Sequence, residues 1–440
     1  MLPLILAVLV VVSLPYWLPR LVVTLRMWIF ARINGDEGVP IPGPLVDVRH
    51  FTRIYSDPAA DGRSEGARLS DLFWYWLAPG PEVHQEHLEP GERYDDVART
   101  TRRILARPKP DVERLAAACA ARTLDATRPG LVRLRDLMMP VWAELYYELV
   151  FQRPCPPAAR DLIVGNANDV VTALKCCGLR HMSRRERLTA YLREHLDEIP
   201  HALPASLSRE EQVFYLQGTF FNTAVVQMSE AMAHLLMAIA RHPEVQHRLA
   251  SEPGDDAYLD HVINESLRRY PLFGIAHRIT SKQLTVDERT TLPAGSVLCF
   301  DYPAFHTTGY DDPGRFDPDR WRTLPVRKAN HLPFGVTANR ACPAKGVAPL
   351  TMRVVARETL RRFAVHSSAA HTRSMPNRGP CVLVAREDDR ALRIRLALLR
   401  LRDRWEDVWR SLVQLGLGTY MVWDARRSRP AARYFAEATR

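Results

Sequence analysis

The sequence predicts a mainly helical protein with small β-sheets, an α+β fold, preceded by one long apolar segment. Three observations support this fold class. Apolar residues recur at three- and four-residue intervals through most of residues 94–270, and short apolar runs separated by turn residues follow at 271–300. The first 19 residues carry no charged side chain. With 440 residues, of which 47% are hydrophobic, the chain is long enough to bury a large core.

The apolar segment, "MLPLILAVLVVVSLPYWLP", predicts a membrane anchor. As a helix it would extend about 28 Å, close to the ~30 Å thickness of a hydrocarbon layer. Arg20, Arg26 and Arg32 follow it, so the positive-inside rule places the remainder on the cytoplasmic side. A cleaved signal peptide is the alternative, but the segment has neither a basic start nor a small-x-small site before Arg20. We therefore predict a single-pass protein anchored by residues 1–32.

The rest of the chain divides by composition. Residues 33–48 contain "VPIPGPL", which predicts a stiff, proline-rich hinge. Residues 49–388 form the predicted main domain, in which 301–345 are rich in Pro, Asp and Gly without periodicity, and "CVLVA" at 381–385 predicts a strand. Residues 389–440 predict a helical extension that is amphipathic and rich in arginine.

Composition also excludes some classes of function. The net charge of +10 comes from scattered arginines without a nucleic-acid motif, so we expect no nucleic-acid partner. Seven irregularly spaced cysteines do not suggest a disulfide framework and favour a reducing compartment. Cys176 and Cys177 lie near His181, but adjacent cysteines without a second pair make a poor zinc site.

Four motifs in a fixed order indicate the chemistry: "NESLRRYP", then "HRIT" followed by "LPAGS", then "FDPDRW", then "RAC". Together they resemble the cytochrome P-450 superfamily over about residues 205–386. The resemblance implies a triangular helical fold and a haem b cofactor whose iron is bound by a cysteine thiolate, an electron-rich ligand that favours O–O cleavage.

The first and third motifs predict a structural ion network. Glu265 and Arg268 are three residues apart, so they share one face of a helix and can form a bidentate pair. The resemblance implies that Arg320 is a third, buried member, which would hold the irregular stretch against the helical core. The alternative is an exposed surface pair, which contributes little to stability.

The segment "PFGVTANRACPAKG" resembles the family's cysteine signature. The resemblance implies that Cys342 is the axial ligand, with Phe334 in the same loop. It also implies that Arg340 and Arg278 pair with the haem propionates. Arg102, or its neighbour Arg103, is a further candidate, although the family's tryptophan or histidine four residues earlier is missing.

This loop departs from the signature. Phe334 precedes Cys342 by eight residues instead of seven, and Ala338 and Ala344 replace two glycines. Because glycine usually permits a left-handed backbone or a close approach, we expect the alanines to carry a cost. We also expect a helix from about Pro343, whose N–H groups hold the thiol deprotonated, and an interruption of that helix by Pro349.

The central helix departs in a way that affects mechanism. Counting back from "RHP", Val226 stands where the family has an acid and Gln227 where it has a threonine. Valine carries no proton, and glutamine hydrogen-bonds without titrating. We therefore name Gln227 and Thr223 as the candidate catalytic residues. The alternative register uses "GTFFNT" at 218–223, one turn upstream.

These features predict a membrane-anchored haem-thiolate oxidoreductase that acts on a lipophilic small molecule, for example a terpenoid or polyketide natural product. The substrate pocket would include Phe220, Phe221 and Val225, and electrons would come from an external ferredoxin or flavoprotein reductase, since the sequence has no flavin or iron–sulfur motif. One alternative is a haem protein that performs cyclisation, rearrangement or peroxide-dependent oxidation. The second alternative is a haem-free scaffold that recruits partners through Trp405, Val408, Trp409 and Leu412.

Overall fold

Helices dominate the computed structural model, which describes residues 2–35, 37–252, 254–385 and 391–438. The α-helices are α1 Leu2–Asn34, α2 Phe51–Tyr55, α3 Arg68–Leu77, α4 Glu92–Leu105, α5 Lys109–Asp125, α6 Leu134–Phe151, α7 Pro157–Leu174, α8 Met182–Glu194, α9 Arg209–Leu216, α10 Val225–Arg241, α11 Pro243–Ser251, α12 Asp256–Arg269, α13 Tyr302–Thr307, α14 Arg320–Thr323, α15 Ala348–Arg362, α16 Leu392–Ser428 and α17 Pro430–Ala438.

Short strands form small sheets at the edge of the helical body. The strands are β1 Val39–Ile41, β2 Gly130–Arg133, β3 Ile275–Ile279, β4 Leu284–Thr285, β5 Thr291–Leu292, β6 Val297–Asp301, β7 Ala364–His366 and β8 Pro380–Val384. In the first sheet, β6 lies between β1, which runs parallel to it, and β3, which is antiparallel. The second sheet has the order β2-β8-β7, and β4 pairs with β5. The predicted hinge therefore contains a strand of the first sheet.

The central helix of the core is α9, continued through a π-helical segment, Gln217–Ala224, into α10. Its start is fixed by a capping box in which Ser208 and Glu211 satisfy each other's backbone N–H groups. Residues 209–241 are apolar enough to cross a membrane, but they are mostly buried between the other helices of the main core. The segment thus gains its stability from packing inside the protein.

A buried ion network joins α12 to the irregular stretch before the cysteine loop. Glu265 and Arg268 are fully buried, with Nη2 and Oε1 2.7 Å apart, and Arg320 Nε lies 3.2 Å from the same oxygen. The Trp321 indole and the Asp317 N–H also donate to Glu265. Arg268 donates to the backbone carbonyls of residues 306, 313 and 315. Charge therefore holds this stretch in place where periodic secondary structure does not.

Replacing Glu265 by Gln should leave Arg268 as an uncompensated buried charge, so we expect the free energy of unfolding to fall by about 3–5 kcal/mol. Urea denaturation followed by circular dichroism measures this. The matched control is Glu210→Gln, which breaks an ion pair with Arg193 whose side chains are both about half exposed and should cost less than about 1 kcal/mol. Equal losses for the two variants would contradict the structural role of the network.

Candidate functional site

Cys342 follows a tight loop that begins at Phe334. Val336 and Asn339 pair across the turn, and the Cys342 N–H donates to the Phe334 carbonyl at 2.9 Å. The left-handed positions of the loop are Gly335, at φ +70°, and Arg340, at φ +55°. Ala338 and Ala344 are not left-handed. The expected backbone cost at these two alanines is therefore absent, and the strained residue is Arg340 instead.

Two expectations about the helix after Cys342 are wrong. The helix α15 begins at Ala348, and residues 343–347 form turns. Pro349 lies in the first turn of α15, where its missing N–H has no intrahelical partner to lose, so it starts the helix and does not interrupt it.

The thiol of Cys342 is consequently not held deprotonated by a helix. Burial raises the pKa of Cys342 to about 11, against a smaller lowering by the Ala344 N–H. Cys342 is the residue that would hold a metal ion here, and coordination would then favour the thiolate form.

Three arginines from different segments are buried together near this loop. Arg278 lies on β3, Arg340 precedes Cys342, and Arg63 lies in the connection between α2 and α3. Arg63 Nη1 donates to the His277 carbonyl at 2.8 Å, and Arg278 Nη2 donates to the Tyr55 hydroxyl at 2.8 Å. Arg340 donates to the carbonyl of Gln85 at 3.0 Å. The three cationic side chains therefore donate mostly to neutral oxygen atoms of the protein.

Among the described residues, Glu86 is the one carboxylate in ion-pair contact with this group, 3.7 Å from Arg63 Nη2. Burial, followed by the neighbouring Arg278, lowers the pKa of Arg63 to about 10. The Nε atoms of Arg63 and Arg278 are buried without a hydrogen-bond partner. A buried cluster with excess positive charge and unsatisfied donors fits an acidic ligand, and the two propionates of a haem b meet both needs. We name this set, Arg63, Arg278, Arg340 and Glu86, the arginine cluster.

A histidine links the arginine cluster to the central helix. His84 Nε2 lies 2.9 Å from the Thr223 hydroxyl, and the Glu86 N–H donates to His84 Nδ1. Because Nδ1 accepts, the proton of the neutral ring is on Nε2, which donates to Thr223. Burial lowers the pKa of His84 to about 4, so the ring is neutral near pH 7. The hydroxyl proton of Thr223 is thus free to be donated elsewhere.

Thr223 lies in the π-helical segment of the central helix. Such segments are often found at functional sites because they redirect side chains. Gln227 lies outside it, in α10, and is half buried, and no hydrogen bond joins its side chain to another described residue. Val226 is buried and apolar. The structure therefore gives a hydrogen-bonded partner to Thr223 and none to Gln227.

The remaining predicted site residues lie in or against the main core, or on α4. Phe220, Phe221 and Val225 are fully buried in the main core, where the Phe220 ring contacts Tyr146. Arg102 is exposed on α4. Phe334 is half buried and packs against the main core.

The sequence motifs do not single out Arg63, Glu86 or His84. All three lie between residues 56 and 91, where short helices alternate with turns and no periodic pattern selects a residue. A weak signal was present: His84 and His87 flank Glu86 in a segment of otherwise ordinary composition.

Comparison with known proteins identifies the family. A cytochrome P-450 family model matches residues 180–392. The putative cytochrome P-450 135B1 of Mycobacterium bovis is 34% identical over 192 residues, 40% of this chain and 39% of that protein. The pentalenene oxygenase of Streptomyces avermitilis is 29% identical over 189 residues, 36% of this chain and 41% of that protein. The chain thus matches about two fifths of the length of these curated relatives.

The fold also resembles that of cytochrome P-450 structures, over a longer part of the chain than the sequence matches cover. The crystal structure of a 6-coordinated cytochrome P-450 from Thermus thermophilus superposes with a TM-score of 0.60 at 18% identity and covers 75% of this chain and 90% of that one. The predicted fold class, mainly helical with small sheets, is confirmed. The family model, whose matched residues include Cys342, and the shared fold both support membership of the cytochrome P-450 superfamily.

Proposed function

We propose that this protein is a haem-thiolate oxidoreductase that oxidises a lipophilic small molecule at a membrane. The superfamily implies haem with a cysteine thiolate as iron ligand, and Cys342 is the residue that matches the signature. When bound, the haem supplies oxygen or peroxide chemistry, which the thiolate promotes by electron donation. The observation that carries the proposal is the arginine cluster, in which three guanidinium groups are buried and, among the described residues, only Glu86 forms an ion pair, with Arg63.

Within this site the chain's own residues hold and deliver protons. His84 donates its Nε2 proton to the Thr223 oxygen, which orients the hydroxyl so that its proton points away from the ring. This arrangement supports the upstream register, in which Thr223 in the π-helical segment replaces the missing acid–threonine pair. In this register, Val226 and Gln227 contribute to packing and not to proton delivery.

The substrate is proposed to be apolar. The central helix offers Phe220, Phe221 and Val225 as the nearest apolar candidates, all on or beside the π-helical segment. A relative that matches part of the chain is a pentalenene oxygenase, which supports a terpenoid as the class to test first. A polyketide of similar polarity is the other substrate class to test.

Electrons are proposed to come from a separate ferredoxin or flavoprotein reductase. The chain's net charge of +10 suits an acidic donor, because opposite charge speeds association.

A second candidate function is haem chemistry without dioxygen activation, such as peroxide-dependent oxidation or rearrangement. The observation that favours it is the apolar Val226 in the usual position of the acid. Turnover with peroxide alone, and none with a ferredoxin, its reductase and NAD(P)H, would select this candidate.

Substituting Cys342 by Ser should remove the iron's thiolate ligand. We expect the purified wild-type protein to show a Soret band and, after reduction under carbon monoxide, the long-wavelength band after which the family is named. Cys342→Ser should lose the latter band. Cys299→Ser, which alters another half-buried cysteine, should keep it. A wild-type protein that stays colourless after growth with ample haem precursor would leave only the haem-free scaffold.

Substituting Arg63 by Gln tests the arginine cluster. Loss of one charge-assisted contact to a propionate should speed the transfer of haem to apomyoglobin by about 10–100-fold, equivalent to about 1.5–3 kcal/mol. Arg102→Gln, on the exposed side of α4, should change the rate less than about twofold. If Arg102→Gln has the larger effect, the propionate partner is on α4 and the assignment of Arg63 is wrong.

Substituting Thr223 by Val separates the two registers. If Thr223 delivers protons, the fraction of reducing equivalents lost as hydrogen peroxide should rise sharply, and product formation should fall on the order of a hundredfold. Gln227→Thr should then change neither quantity. The downstream register makes the opposite forecast, in which Gln227→Thr improves coupling and Thr223→Val has no effect.

A further inference from the structure

Apolar side chains are exposed mainly on two helices, the first and the longest of the chain. On α1 the exposed large apolar side chains begin at Leu4 and continue to Trp28. On α16 they recur every three or four residues from Ile394 to Leu412 and return on the same face at Tyr420 and Trp423, so they form one stripe. We call this set the α16 stripe: Ile394, Leu398, Leu401, Trp405, Trp409, Leu412, Tyr420 and Trp423. A continuous exposed apolar surface of this kind on a folded protein marks contact with a membrane or a partner.

The two helices lie side by side and run in the same direction. The Tyr16 hydroxyl accepts from Arg404 at 3.0 Å, and Arg26 donates to Gln414 at 3.2 Å. Both contacts join residues 388 apart in sequence. Further along, the Phe30 ring lies against Gly418, with the same separation. Because both helices rise equally per residue, each residue of α1 is level with the residue of α16 that follows it by this constant interval.

This pairing conflicts with a membrane-spanning α1. The part of α16 level with the apolar segment carries five exposed arginines and three acidic residues: Arg393, Arg395, Arg400, Arg402, Arg404, Asp403, Glu406 and Asp407. Each charged residue at the centre of a bilayer costs at least about 2.5 kcal/mol. If α1 crossed the bilayer, α16 would carry these charges into the hydrocarbon.

The position of the sheet beneath α16 also conflicts with a membrane-spanning α1. Leu399 packs on Val382 and Val384 of β8, and Leu392 and Leu396 lie beside them. This end of α16, and hence the body of the protein, is level with the first residues of α1. A spanning α1 would therefore place a face of the folded domain inside the bilayer.

We propose that α1 and α16 together form a membrane-binding surface that lies in the plane of one leaflet. In this arrangement α1 rests along the interface with its apolar side chains in the lipid, and the α16 stripe enters beside it. The domain stays on the aqueous side. The fitting partner is a bilayer with anionic headgroups, since all exposed charged side chains of α16 between Leu392 and Arg404 are arginines.

The distribution of tryptophan supports a lipid interface as the occupant. The chain has nine tryptophans. Trp74, Trp76, Trp142 and Trp321 are buried in the domain. The five exposed ones all lie on the two helices: Trp17, Trp28, Trp405, Trp409 and Trp423. Tryptophan prefers the boundary between headgroups and acyl chains, because its ring is apolar and its N–H is polar.

Flotation of the full-length protein with vesicles of phosphatidylcholine and phosphatidylglycerol tests the stripe. The triple variant Trp405→Ser, Trp409→Ser and Leu412→Ser keeps α1 intact, and we expect its partition into vesicles to fall at least about tenfold. The matched control changes three exposed apolar residues outside the two helices, Phe273→Ser, Ile275→Ser and Val326→Ser, and should bind as the wild type does. Unchanged binding of the α16 variant would overturn the proposal.

The wild-type protein, with a protease-cleavable tag before Met1, tests the orientation. After binding to preformed vesicles, the tag should be removed completely without detergent, because an in-plane α1 keeps its N-terminus outside. A tag protected until detergent is added would show a spanning helix and overturn the proposal. Phospholipids that carry bromine at different depths should quench the tryptophan fluorescence of the protein. Quenching should be strongest when the bromine lies near the headgroups.

A second copy of the chain is the competing occupant of this surface. Dimers in the absence of lipid, abolished by the α16 variant and unaffected by vesicles, would reject the membrane in favour of self-association. These experiments need neither haem nor turnover, so they fail or succeed independently of the proposed oxidoreductase activity.

Discussion

The burial of three guanidinium groups, with Glu86 as their one ion-paired carboxylate among the described residues, is the constraint on which the site depends. Arg63, Arg278 and Arg340 come from a loop, a strand and the cysteine loop, so all three segments must meet for the cluster to form. Backbone carbonyls solvate the charges, but they do not neutralise them. In the proposed function, an acidic ligand would supply the negative charge that this arrangement lacks.

The ion network around Glu265 supplies the frame for this arrangement. It holds the residues from His306 to Trp321 on α12, and the cysteine loop starts a dozen residues later. His306 extends the frame, because its Nε2 accepts from the Leu332 N–H, two residues before Phe334. A loop with little regular structure is thus fixed at its base by buried polar contacts, which is why it can hold a left-handed arginine at position 340.

Much of the fold could be predicted from sequence, because helical periodicity and motif order are local signals. The spacing of Glu265 and Arg268 placed both side chains on one helix face, and the signature singled out Cys342 and Arg340. The remainder depends on contacts between distant segments. Arg63 and His84 belong to irregular connections, and the pairing of α1 with α16 joins residues 388 apart. Local patterns carry no information about either. The role of Pro349 was predicted wrongly for another reason, since proline favours the first turn of a helix as well as the residues after its end.

Helix α3 connects the proposed membrane surface to the site, because its Ser70 contacts His277, the neighbour of Arg278. The α16 helix packs on α3, where the Tyr75 hydroxyl donates to Asp424 at 2.8 Å, and it also contacts the connection between α7 and α8 through Gln414 and Lys175. The chain runs directly from α3 into the segment that carries His84 and Glu86. A lipophilic substrate concentrates in the bilayer because water excludes it. A protein lying flat on that bilayer keeps α3, and with it the arginine cluster, close to the phase in which such a substrate is most abundant.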